Sequence, residues 1–123
     1  MLIAQLHNTL ATTVILFMLV CGLWGLFGAL TGGLSASLAG ALMIGEGLIV
    51  VQGLLGAFAY LTGPRPARAL HYLYGLAAVV TLPGIYTYAR GRPARQQALL
   101  MGLGALFIMG LAIRGVDTAR LLR

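Results

Sequence analysis

Four long apolar runs, parted by breaks of only a few residues, leave this chain almost no way to fold behind a water-facing shell. They extend over about Ala4 to Leu30, Ser37 to Leu61, Ala67 to Ala89 and Ala94 to Gly115. A helix needs about 20 mostly apolar residues to cross about 30 Å of hydrocarbon, so each run is long enough to span. Thr31-Gly32-Gly33 closes the first run and Thr62-Gly63-Pro64-Arg65-Pro66 the second. Arg90-Gly91-Arg92-Pro93 closes the third, and Arg114, Asp117, Arg120 and Arg123 mark the exit of the fourth. Proline cannot continue a helix through such breaks. Connections this short set neighbouring helices antiparallel. The runs are too long and too evenly apolar for the alternating strands of a membrane barrel. The fold expected is an all-α membrane protein: one domain over residues 1–123, four transmembrane helices, an up-down-up-down bundle made of two helical hairpins.

Composition supports lipid as the outer solvent. Of 123 residues, 60% are hydrophobic and 8% charged, whereas soluble domains carry about 25% charged residues. The basic residues are all Arg, the acids are Glu46 and Asp117 alone, and the net charge is +6. Such a charge can mark a nucleic-acid binder. Here the arginines sit in gaps between apolar runs or near the C-terminus, where membrane proteins anchor loops at headgroups, so no nucleic-acid partner is expected. Arginine used to the exclusion of lysine suggests a GC-rich bacterial genome, hence a bacterial cytoplasmic membrane. Met1–Leu10 lacks the basic start of a secretory signal, and the first run reads as a retained span. Arg65, Arg68, Arg120, Arg123 and borderline Arg114 lie on the N-terminal side, against Arg90, Arg92 and Arg95 on the other. The positive-inside rule then places both termini in the cytoplasm.

The second and fourth runs share a faint repeat. Ala41-Leu42, Gly45, Gly47 and Gly53-Leu54 align at one offset with Ala98-Leu99, Gly102, Gly104 and Gly110-Leu111, and Leu6-His7 and Leu70-His71 open the first and third runs. Glycine at such spacing lets membrane helices approach closely.

Polar groups inside a membrane are costly and often functional; here they are His7, His71, Glu46 and Gln52, with Arg114 near an end. The first and third runs are parallel, so His7 and His71 should lie at similar depth. His7, Ala11, Val14, Met18, Cys21, Gly25 and Gly28 form one helical stripe; His71, Gly75, Ala78, Leu82, Ile85 and Ala89 form another. Two inward imidazoles flanked by small residues can ligate a haem iron from opposite sides. Gly56 should lie at histidine depth and let a porphyrin approach its backbone, with Gln52 deeper on the same stripe. Arg65, Arg68 and Arg114 are placed to pair with propionates. The plainer alternative is a pair of interfacial histidines bonded to water or to carbonyls.

Glu46 falls mid-span between Gly45 and Gly47. It is read either as a protonated acid bonded to a neighbouring helix or subunit, or as a proton or cation site. Cys21 is the single cysteine, which excludes an intrachain disulfide and a cysteine-based haem or zinc motif; it reads as packing. Pro83-Gly84 predicts a kink. Trp24, Tyr60, Tyr72, Tyr74, Tyr86 and Tyr88 fall mostly near run ends, as interfacial belts do. No HExxH motif, nucleophile elbow or carboxylate pair points to catalysis.

Val51-Gln52-Gly53-Leu54-Leu55-Gly56-Ala57-Phe58-Ala59-Tyr60-Leu61-Thr62-Gly63, followed by Leu70-His71-Tyr72-Leu73-Tyr74-Gly75, resembles part of one four-helix half of haem A synthase. His7, Gln52, Leu55, Gly56 and His71 match that half in type and order, and the same two-histidine plan resembles b-type membrane cytochromes. The family usually has Arg after its histidines, where Asn8 and Tyr72 stand here, and no counterpart of its extracellular catalytic carboxylate is found. The resemblance therefore implies the haem-binding plan rather than the synthase activity. Three roles follow as expectations: one haem b between His7 and His71 for electron transfer or haem handling; a cofactor-free accessory subunit of a larger respiratory or photosynthetic complex, or a homo-oligomer; and a small proton or cation transporter using Glu46.

Overall fold

A computed structural model describes residues 2–62 and 69–120. Each apolar run is a helix: α1 Leu2–Leu30, α2 Ala36–Thr62, α3 Leu70–Ala89 and α4 Ala94–Arg120. The breaks end them for local reasons. Gly28 O accepts the amides of both Thr31 and Gly33, and Gly33 takes φ +93°, a conformation open mainly to glycine. Ser35 then caps α2, its Oγ accepting the Leu38 amide at 3.1 Å. Gly91 turns the chain between α3 and α4 with φ +82°. α3 runs through Pro83 as one helix.

α1, α2 and α4 are long and apolar enough to cross a membrane, over Gln5–Leu30, Ala36–Thr62 and Ala94–Asp117. α3 falls outside that set: over Leu70–Ala89 its apolar side chains are diluted by His71, two threonines, Pro83 and four tyrosines. The expected start of this run at 67 lies outside the described residues. At its other boundary the fourth helix exceeds expectation, continuing past Gly115 to Arg120.

The helices form an antiparallel bundle in which α1 faces α4 most closely, α3 packs on α4 and α2 on α1; the α2–α3 seam is the loosest. The α1 stripe read from the sequence is its inner face: Val14, Met18, Cys21, Gly25 and Gly28 are buried, with Met18 fully so. On α3, Ala78, Leu82 and Ala89 are buried, but Gly75 is exposed. Leu38, Leu42, Met101, Ala105 and Ile108 complete the core. The outer faces are large apolar side chains such as Leu16, Phe27, Leu54, Leu76 and Phe107.

Glycine sets the α1–α4 distance. A Cβ on Gly25 would meet Gly102 Cα at 2.6 Å and Ala98 O at 2.9 Å, and one on Gly102 would meet Gly22 O and Gly25 Cα at 3.0 Å. Those partners are backbone and cannot swing aside. Of the repeated glycines, Gly45 meets Met18 and Gly104 meets Ile85, whereas Gly47, Gly53 and Gly110 face open space. Gly25→Ala should therefore cost about 1–3 kcal/mol through overpacking. Gly40→Ala, with nothing within 4 Å of the added methyl, should be neutral or slightly stabilising. Unfolding midpoints in mixed micelles check this, and equal midpoints for the two variants would contradict the close-approach account.

Candidate functional site

All four helices contribute to the end of the bundle that holds the histidines. Antiparallel α1 and α2 bring His7 against Gly56: a Cβ at residue 56 would lie 3.1 Å from His7 Cε1 and 3.7 Å from Nε2. Glycine here leaves a flat backbone patch on which the imidazole rests. One turn deeper, Gln52 Nε2 donates to the His7 carbonyl at 2.9 Å, tying the two helices. Across the bundle, His71 Nδ1 lies 2.9 Å from Gly115 O on α4. A carbonyl only accepts, so Nδ1 carries the proton and, in the neutral ring, Nε2 carries the lone pair. A backbone carbonyl holding one ring nitrogen in this way is the usual orienting device of a metal-binding histidine.

The two rings meet, with centroids 6.2 Å apart and planes at 63°. At this separation His7 and His71 would be near enough for both to hold one metal ion. His7 Nδ1 and Gln52 Oε1 are buried without a hydrogen-bond partner among the described residues, and buried polar atoms left so are uncommon. The surroundings open on one side. Tyr60 of α2 stacks edge-on with Tyr72 of α3 at 5.6 Å, which identifies the faces lining their seam. Gly53, two turns from Tyr60, and Gly75, one turn from Tyr72, each have no atom within 4 Å of an added Cβ.

The other expected residues fall out differently. Gly56 lies at histidine depth, but the His7 ring occupies the space over its backbone, so a porphyrin there would have to share the face with that ring. Arg114 is exposed and stands 4.0 Å from Asp117. Arg65 and Arg68 lie outside the described residues. Glu46 is separate: ten residues of helix rise put it roughly 15 Å from the level of Gly56, and its Oε1 is buried without a partner among the described residues. Sequence reading missed Gly115, because a backbone acceptor has no residue-type signature and its role depends on the α3–α4 register. No group of three or more His, Cys, Asp or Glu gathers among the described residues.

No protein-family profile, curated protein or solved structure matches this chain. The likeness to haem A synthase thus rests on the quoted residues alone. Within the site, Gln52→Leu should cost about 1 kcal/mol by removing the α1–α2 tie. Chemical unfolding in mixed micelles measures it, and an unchanged midpoint would contradict a tie made by that amide.

Proposed function

We propose that all four helices cross a bacterial cytoplasmic membrane, and that the histidine end holds one b-type haem between His7 and His71 for electron transfer or haem handling. The observation that carries this reading is the meeting of the two imidazoles at 6.2 Å, from helices that are diagonal in the bundle. His7 and His71 would hold the iron, Gly115 O orients His71, and Gly53 and Gly75 have nothing within 4 Å of an added Cβ, which leaves backbone that a flat ligand could approach. α3 has no stretch as apolar as those of the other three helices, because His71, Pro83 and its tyrosines interrupt it. Its inner face is shielded by α4, so the lower hydropathy is compatible with spanning.

A bound haem supplies one-electron chemistry. The chain's own contribution is to fix the imidazole tautomer at His71, to lodge His7 on the Gly56 backbone, and to exclude water with the apolar stripes of α1 and α3. Arg114, together with Arg65 and Arg68, would answer propionate charge at the same membrane face.

A second reading, an accessory subunit or homo-oligomer without a cofactor, draws on Glu46. Its buried oxygen lacks a partner within the described chain, as expected if a neighbouring subunit supplies the donor. A reduced-minus-oxidised absorbance spectrum of the detergent-purified protein separates the two. The haem reading expects a b-type difference spectrum that His71→Ala abolishes in a protein still helical by circular dichroism. A folded but colourless protein that co-purifies with larger subunits would reject the haem and favour the accessory role.

A further inference from the structure

The opposite end of the bundle carries charge that nothing in the chain balances. Arg90, Arg92 and Arg95 lie within six residues at the α3–α4 turn, whereas the two acids of the whole sequence are Glu46 in mid-α2 and Asp117, the latter beside Arg114 at the far end of α4. Arg92 is engaged locally: its Nε donates to Tyr88 O at 3.2 Å and its guanidinium stacks on the Tyr88 ring at 4.2 Å. Arg90 and Arg95 are exposed.

Arg90 also lines a cavity of about 300 Å³ shared with Leu34, Tyr86, Ala89, Gln97 and Met101. Both turns at this end build it, and they are fastened together. Leu34 N donates to Ala94 O at 3.0 Å, and Gly33 lies so close to Ala94 that an added Cβ would meet its carbonyl carbon at 2.5 Å. Gln97 is held by donation from its Nε2 to Arg92 O at 3.0 Å. A guanidinium at the rim, an apolar wall of Leu34, Ala89 and Met101 and a position at the mouth of a membrane bundle describe an amphiphile with an anionic head.

The geometry points to a site for the phosphate of a single anionic phospholipid in this cavity, with Arg90 on the phosphate and the lipid's apolar part against Leu34, Ala89 and Met101. The assignment rests on the membrane-spanning reading and is independent of the haem. Native mass spectrometry of the full detergent-solubilised chain, titrated with phosphatidylglycerol and separately with phosphatidylcholine, tests it. One phosphatidylglycerol should be retained in preference to phosphatidylcholine. Arg90→Gln should weaken that binding about tenfold, as loss of one charge-assisted hydrogen bond would. Arg95→Gln removes the same charge from the same end outside the cavity lining and should leave the binding near wild type. Equal weakening by both variants would reveal diffuse surface attraction and overturn the site. So would equal retention of the two lipids, or displacement of phosphatidylglycerol by inorganic phosphate alone, which would assign the cavity to the free ion. A haem-free protein that still passes this test would leave the lipid site standing.

Discussion

The constraint that the proposed membrane setting answers is the apolar outer face of the bundle. Leu30 is 81% exposed and Phe27 63%, and comparable side chains cover every helix. In water these faces would drive association; in lipid they are already solvated. Helices then satisfy their own backbone groups, and what remains is to bring four of them together without a hydrophobic drive between them. Close packing supplies that, and it is strongest where Gly22 and Gly25 meet Gly102. The α1–α4 contact joins the first helix to the last, so it also closes the bundle.

The two ends of the bundle differ as a consequence. At the end with the short turns, the backbone hydrogen bond from Leu34 N to Ala94 O and the glycine turns at residues 33 and 91 fix the loops against one another. At the other end gather the imidazoles, Gln52 and the tyrosine pair, next to the α2–α3 seam, which is the sparsest contact between neighbouring helices. Polar ties hold this end, from Gln52 to the His7 carbonyl and from His71 to the Gly115 carbonyl, yet His7 Nδ1 and Gln52 Oε1 stay buried without a partner among the described residues.

Much of the fold was legible in the sequence because apolar length and helix-breaking residues act locally. Pro64, Pro66 and Pro93 cannot be hidden by tertiary context, and the 3.6-residue stripe through Val14, Met18 and Cys21 records which face of α1 meets other helices. The matched depth of His7 and His71 followed from alternating direction alone. What could not be read depends on lateral register. That the His7 ring rests on Gly56, that Gly115 accepts from His71, and that Gly75 is exposed instead of facing the interior all depend on how far each helix slides and turns against its neighbour. Glycine-rich helices offer several such registers. α3 differs for another reason: its tyrosines, His71 and Pro83 are spread along the run, so no stretch of it is as apolar as the best stretch of each of the other three helices.

The central claim is that four helices, α3 included, sit in hydrocarbon. Hydrogen exchange of the full chain reconstituted in a bilayer tests it most directly. The account predicts strong protection of amides through the middle of all four helices, with rapid exchange confined to the connections between helices and to the chain ends. Rapid exchange along α3 beside three protected helices would contradict a four-span bundle, and with it the shared depth of the two imidazoles.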